Sequence, residues 1–245
     1  MVSVVCPAHN ERDNIARLVE EIERALVGVT GGYEIVLVDD GSTDDTRAVI
    51  ASLMAGRAHL RGVAMLGTPA GRGNGQSAAF HAGFRAARGA LIATMDADLQ
   101  NDPADLPRLL ELIERGADMA QGDRSHARRD NAVRRVGSVV GRMFRRVLLG
   151  DTIRDTGCSL RVMKRAIALA LPLEFRGMHR FIPATARQLG YTVVEARVNH
   201  RARVAGETKY GLGIVQRAIP GLLDLLAARW MGSRRRPTAH EEFRA

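Results

Sequence analysis

Two aspartates stand one residue apart at the end of an apolar run, in Ala90-Leu91-Ile92-Ala93-Thr94-Met95-Asp96-Ala97-Asp98-Leu99-Gln100-Asn101-Asp102-Pro103. Residues 90–95 read as a buried strand, and residues i and i+2 of an extended chain project to one face. Two carboxylates so placed repel each other unless a positive charge lies between them. Hard oxygen donors of this kind suit Mg2+ or Mn2+, ions that keep some water and share ligands with substrate phosphates. Gln100 adds an amide oxygen two residues on. The competing reading is a solvated strand end followed by a helix cap. It fits Asp102, an N-cap before Pro103 in the first turn, better than it fits Asp96.

Other candidate groups sit at similar places. Asp39-Asp40-Gly41-Ser42 puts two acids between a strand and a helix start, where they can accept from a nucleobase edge or ribose hydroxyls. The same residue types also make plain turns and caps. In Cys6-Pro7-Ala8-His9-Asn10-Glu11, Pro7 is expected to stop the strand and Asn10 and Glu11 to open a helix, with room for a nucleotide across the backbone. The loop Gly71-Arg72-Gly73-Asn74-Gly75-Gln76-Ser77 lacks the lysine of a phosphate-binding P-loop, so it reads as a loop that lets backbone approach a ligand. Arg124 follows another strand end. Arg134, Arg135 and Ser138 follow at the start of a basic helix, and arginines beside a hydroxyl suit a phosphate group. Arg201, Arg203 and Lys209 lie among glycines in residues 200–211, a basic loop able to close over a pyrophosphate.

The elements that must position these groups alternate. Residues 2–6, 33–38, 61–66 and 90–95 read as strands. Between the first two, Ile15, Leu18, Val19, Ile22 and Leu26 repeat at helical spacing, with Asn10 as the cap. Ser42 or Thr43 caps a second helix carrying Val49, Ile50 and Leu53, and residues 77–88 form a small-residue helix. Such alternation predicts a mainly parallel sheet with helices on both faces, and ligands bind beyond the carboxyl ends of its strands. Further on, residues 117–121 and 192–198 read as strands. Residues 133–149 form a basic amphipathic helix, and residues 213–231 an apolar helix interrupted at Pro220. The expected organisation is one α/β domain over residues 1–212, a helical segment over 213–232 and a loose basic tail over 233–245.

The chain of 245 residues carries 36 Lys and Arg against 27 Asp and Glu, a formal charge of +9 that favours a polyanionic partner. Nucleic acid fits poorly. One Trp, three Tyr and six Phe give little stacking surface, and the acidic strand ends oppose it. Two cysteines, Cys6 and Cys158, make no disulfide framework, so a reducing compartment is expected. No basic leader and no run of about 20 apolar residues is present, which predicts neither a signal peptide nor a transmembrane helix.

Taken in order, the motifs resemble family-2 glycosyltransferases, more narrowly the polyprenyl-phosphate (dolichyl-phosphate mannose synthase-like) branch. The resemblance runs through "VVCPAHNE", "IVLVDDGSTDDT", "GNGQSAAFHAGFRAARG", "MDADLQNDP", "QGDR", "DTGCSLRVMKR", "HRFIPA" and "HRARVAGETKYG". It implies a GT-A (Rossmann-like) fold and a nucleotide-sugar donor. Asp96, Asp98 and Gln100 match the family's metal positions, for Mg2+ or Mn2+. Pro7, Ala8, Asn10, Glu11, Asp39, Asp40, Asp96, Ala97 and Asp98 match donor-binding positions, and Arg203 and Lys209 the basic pair of a closing loop. Arg124, Arg134 and Ser138 match the acceptor-phosphate site, with Arg135 competing with Arg134. Asp98, Arg124 and Arg134 are then the residues on which the reaction turns.

The implied reaction moves a sugar to a polyprenyl or dolichyl monophosphate with inversion. A lipid phosphate is already anionic and needs no strong general base. The motifs favour a UDP-sugar over GDP-mannose. The alternative is a family-2 transferase acting on a sugar hydroxyl, which would need a general-base carboxylate. Many members carry C-terminal transmembrane helices; here residues 213–231 and 133–149 suit an interfacial position instead, peripheral on the cytoplasmic face of the membrane. Packing on the domain, or on a second copy in a homo-oligomer, is the other use for the same apolar faces.

Overall fold

In the computed structural model of the protein, the described residues are 1–69, 71–126, 132–202 and 214–236, with the side chains of residues 132–140 and 214–219 excepted. Seven strands form one sheet: β1 (Val2–Ala8), β2 (Tyr33–Asp39), β3 (Leu60–Ala64), β4 (Leu91–Thr94), β5 (Met119–Asp123), β6 (Arg161–Lys164) and β7 (Val193–Arg197). Their order is β3-β2-β1-β4-β6-β5-β7. β3, β2, β1 and β4 run parallel, β6 is antiparallel to both its neighbours, and β7 is parallel to β5.

Alternation along the strands divides the core. Val4, Cys6, Ile35 and Leu37 face one side, where α1 (Arg12–Leu26) and α4 (Leu106–Glu114) pack, joined by Ile50 of α2 (Thr46–Met54). Val5, Val36 and Val38 face the other, against α3 (Gln76–Ala86), α6 (Arg165–Ala170), α7 (Ile182–Gln188) and α8 (Ile214–Arg234). The helical spacing read in α1 is the reason it seals the sheet. Ile15, Leu18, Val19, Ile22 and Leu26 are all buried, each contributing about 1.5–3 kcal/mol.

Three expectations change. Pro7 does not stop β1, because it pairs with Val38 and the strand continues to Ala8. The Val5 carbonyl accepts from the Met95 amide at 3.3 Å, so the backbone groups of residues 5 and 7 turn toward β4. β4 ends at Thr94, so no partner is waiting for the N–H that Pro7 lacks. The helix caps also differ. Glu11 and Asp45 hold the N-cap positions of α1 and α2, and neither side chain makes a capping bond. Asn10 and Ser42 are used across the loops instead. Finally, β6 is unforeseen, since four residues beginning and ending in basic side chains do not read as a strand.

The basic helix is present as α5, Ala132–Leu149, whereas the interruption expected at Pro220 is not: α8 runs unbroken through it from Ile214 to Arg234. α8 packs Leu225 and Ala228 into the core and leaves Leu222, Leu223, Leu226 and Trp230 exposed. Among the described residues no helix is long and apolar enough to cross a membrane. Cys6 and Cys158 are both buried free thiols.

Candidate active site

β4 ends before the two aspartates, which therefore lie beyond the strand, Asp98 in a turn. The turn is forced by Leu99, buried at 1% exposure with φ +60°. A leucine rarely adopts that backbone, and such strain persists only where surroundings over-determine it. Here the leucine side chain is held in the core that α1 and α4 cover. Ser159 fixes the approach: its Oγ accepts from the Asp96 amide at 3.2 Å and from Asn101 Nδ2 at 2.7 Å. Gln76 Nε2, at the start of α3, donates to Asp96 Oδ1 at 2.5 Å. Asp98 Oδ1 accepts from the Gln100 amide at 3.2 Å.

The electrostatics set the two carboxylates against each other. Burial first, then the negative charge of Asp98, push the Asp96 carboxyl up to about 6, against the opposing pull of Ser159, Arg124 and Arg161. The residues present fit a divalent cation of the hard, oxygen-loving kind. Two carboxylates and the Gln100 amide would supply part of a coordination shell. Among the described residues no group of three or more His, Cys, Asp or Glu is placed to hold a metal.

The ends of β1 and β2 are laced together. Asn10, at φ +57°, accepts through Oδ1 from the Thr43 amide at 2.7 Å, and its own amide donates to Ser42 Oγ at 3.0 Å. Glu11's amide donates to Thr46 Oγ1 at 2.9 Å, and its carboxylate accepts from Asn14 Nδ2 at 2.8 Å. Asp39 Oδ1 accepts from the Ser42 amide at 3.0 Å. Asp40 has a definite partner: its carboxylate accepts from the Asn74 and Gly75 amides at 2.8 and 2.7 Å. The glycine loop is thereby folded onto the end of β2. Gly73 must be glycine there, because its φ is +63° and a Cβ would come within 2.6 Å of the Asp40 carbonyl oxygen. Pro7, Ala8, Asn10, Glu11, Asp39 and Asp40 are thus gathered at one end of the sheet, with Asp96, Ala97 and Asp98 beyond the neighbouring strand β4.

Arg124 follows β5 and is buried. Asp155 holds it: Arg124 Nε donates to Oδ2 at 2.9 Å, and the Arg124 amide to the same oxygen at 3.2 Å. Gln121 Nε2 pins the carbonyls of Cys158 and Asp155 at 2.9 and 3.2 Å, fixing the loop that carries Asp155. The same loop reaches α5, where Arg145 Nη1 donates to Thr156 Oγ1 and Nε lies 3.5 Å from Asp151. Arg134, Arg135 and Ser138 are on α5, but their side chains lie outside the described residues, as do Arg203 and Lys209 entirely. Arg201, read as part of a positive loop, is instead paired with Asp102 at 2.6 Å and with Glu21. Its amide donates to the Gln100 carbonyl at 2.9 Å, bringing the chain ahead of residue 203 beside the aspartate turn.

Sequence reasoning missed Gln76, Asp155, Ser159, Arg161 and His179. One signal was present: an arginine amid the apolar residues of "CSLRVM" marks a buried cation. Arg161 is 2% exposed, and burial lowers its pKa to about 10, so it stays charged. It donates to the carbonyls of Cys158 and His179.

A twisted, mainly parallel sheet with acidic groups assembled at its carboxyl edge, together with one antiparallel strand, is the GT-A glycosyltransferase plan. A crystal structure of glucosyl-3-phosphoglycerate synthase from Mycobacterium tuberculosis with Mn2+, UDP-glucose and phosphoglyceric acid superposes with a TM-score of 0.69 at 22% identity, covering 93% of this chain and 80% of that one. The family model for glycosyl transferase family 2 matches residues 3–170, and the chain belongs to that family. It is 38% identical over 92% of its length to dodecaprenyl-phosphate galacturonate synthase of Rhizobium johnstonii. It is 39% identical over 86% of its length to undecaprenyl-phosphate 4-deoxy-4-formamido-L-arabinose transferase of Pseudomonas paraeruginosa. The chain spans 66% and 60% of the lengths of these two curated relatives.

Proposed function

We propose that the protein is an inverting glycosyltransferase that moves a sugar from a nucleotide-sugar, a UDP-sugar by its motifs, to a polyprenyl monophosphate. The observation that carries the reading is the pairing of two sites at one sheet edge. Asp96 and Asp98 form a pair of carboxylates close enough to raise the pKa of Asp96, and near them Arg124 is held by Asp155. Support also comes from the two relatives, whose names are those of transferases to polyprenyl phosphates.

The chemistry follows from charge. Arg124, with Arg134 and Ser138 of α5, binds the acceptor phosphate and aims one of its oxygens, a proximity effect. That oxygen carries negative charge already, so no residue is assigned as a general base. It attacks the anomeric carbon from the face opposite the leaving nucleoside diphosphate, and one displacement inverts the centre. Asp96, Asp98 and Gln100 would hold Mg2+ or Mn2+, which when bound neutralises the leaving diphosphate. Asp39, with Pro7, Ala8, Asn10 and Glu11, lines the nucleoside end, and Asp40 contributes by shaping the glycine loop. Arg203 and Lys209 are assigned to the donor diphosphate. Residues 1–212 are read as the catalytic domain, and the exposed faces of α5 and α8 as peripheral contacts with the membrane that holds the lipid.

The test is a donor panel of UDP- and GDP-sugars with a short polyprenyl phosphate and Mg2+ or Mn2+, scored as lipid-linked sugar. A UDP-sugar is expected to give product, chelation to abolish it, and Asp98→Ala to lower it by at least a hundredfold with an unchanged unfolding midpoint. Transfer from GDP-mannose alone would correct the donor. Transfer to a sugar hydroxyl but not to lipid phosphate would replace the reading with the other family-2 chemistry.

A further inference from the structure

Close to the Gln76 that binds Asp96 lies a histidine for which the reaction above has no use. His179 lies in the 3-10 turn Met178–Phe181, and Ser77 in the first turn of α3, next to the Gln76 that binds Asp96. Ser77 Oγ accepts from the His179 amide at 3.1 Å and lies 2.8 Å from His179 Nδ1. On the other side the His179 carbonyl accepts from Arg161 Nη1 at 3.3 Å. The ring is therefore fixed from two directions, at 102 residues' separation from its serine.

Its protonation follows from the same contacts. Burial first, then the charges of Arg180 and Arg161, lower its pKa to about 3, so the ring is neutral near pH 7. Ser77 has one hydroxyl proton, and among the described residues the only acceptor it meets is His179 Nδ1. Donation there leaves the ring's own proton on Nε2. Nε2 makes no hydrogen bond among the described residues, and the side chain is half-buried rather than sealed.

Two contacts set His179 near the donor end of the site. Ser77, which its ring meets, follows the Gln76 that bonds Asp96, and Arg161, which holds its carbonyl, feels the charge of Asp96. A sugar carried on the donor diphosphate would lie near that carboxylate. A neutral N–H there can bond a sugar hydroxyl without competing for either phosphate, which an imidazolium would do.

We infer that His179 reads the transferred sugar: its Nε2–H donates to a hydroxyl of the sugar carried on the donor diphosphate, with Ser77 as its positioning residue. The inference rests on the glycosyl-transfer reading, and the test separates the two. Calorimetry with Mn2+ would compare UDP with UDP-galacturonate and UDP-glucose, on the parent chain and on His179→Ala, His179→Gln and Ser77→Ala. His179→Ala should weaken binding of the preferred UDP-sugar roughly fivefold, the worth of one neutral hydrogen bond, and leave UDP binding within twofold. His179→Gln, which keeps an N–H donor, should recover part of that loss, and Ser77→Ala should show a smaller loss of the same kind. Thermal unfolding of each variant controls for folding, and the glutamine variant carries the test should the alanine variant not fold. Equal losses for UDP and UDP-sugar, or none for either, would overturn the role of His179 alone. A parent chain that binds neither UDP nor a UDP-sugar would overturn the donor reading itself.

Discussion

His179 also shows what a single side chain owes to partners far away in sequence. Unfolded, it titrates near its ordinary 6.5; folded, it holds no proton until about pH 3. Between those values the unfolded chain binds a proton that the folded chain refuses, so stability falls as pH drops through that window. Above about pH 6.5 the residue is neutral in both states and contributes no pH dependence. His179→Gln, which cannot charge, is expected to lose on the order of 1–2 kcal/mol less than the parent between about pH 7 and pH 5, measured by urea unfolding at each pH. Parallel losses in both proteins would show that the ring charges freely in the fold. None of this was legible in the sequence, because Ser77 and Arg161 act on His179 only through the fold. Asp96 and Asp98 were legible because their oddity is local: charge at the end of an apolar run. Asn10 was half legible. Its place at a helix start suggested a cap, but its side chain prefers Thr43, across the gap between two strands.

At the scale of elements, what could be read was what repeats. The 3.6-residue period of α1 and α5 and the apolar runs of β1, β2 and β4 are signals carried within each segment. β6 escaped because its strand character comes from its neighbours: Thr94 and Gln121 both pair with Arg161, and the antiparallel insertion has no periodicity of its own. The fit of α3 on the sheet was equally hidden. Gly83 lies so close to β1 and β2 that a Cβ there would come within 2.3 Å of Val5 Cγ1 and 2.9 Å of Val38 Cγ2. Alanine is the better helix former by about 1 kcal/mol, yet overpacking costs about 1–3 kcal/mol. Gly83→Ala is therefore expected to destabilise the protein, with a lower midpoint in denaturant. It should also reduce donor binding, since α3 carries Gln76 and Ser77 at its other end. A variant as stable as the parent would mean that α3 can slide, and that the site tolerates its movement.

At the scale of the molecule, the charge of +9 is placed beside apolar surface. α5 exposes Met143, Phe144 and Val147, the last at 74%, and α8 exposes Leu222, Leu223, Leu226 and Trp230, the last at 64%. The two helices pack on each other, with Arg229 bonded to the Leu148 carbonyl, so these side chains belong to one region. Arg142, Arg146 and Arg234 to Arg236 accompany them. Apolar side chains bordered by arginines suit the interface of an anionic bilayer, where each basic residue contributes about 1 kcal/mol. The chain should therefore co-sediment with vesicles containing phosphatidylglycerol and much less with phosphatidylcholine alone. Binding should weaken as salt shortens the Debye length below about 10 Å. Trp230 is the sole tryptophan, so its emission should shift to the blue on binding. Leu222→Asp with Leu223→Asp should abolish sedimentation and the shift together while leaving transfer to a detergent-dispersed acceptor intact. If the chain instead ignores vesicles and sediments as a dimer that the same double substitution dissociates, a second copy of the chain covers this face and the membrane contact lies elsewhere.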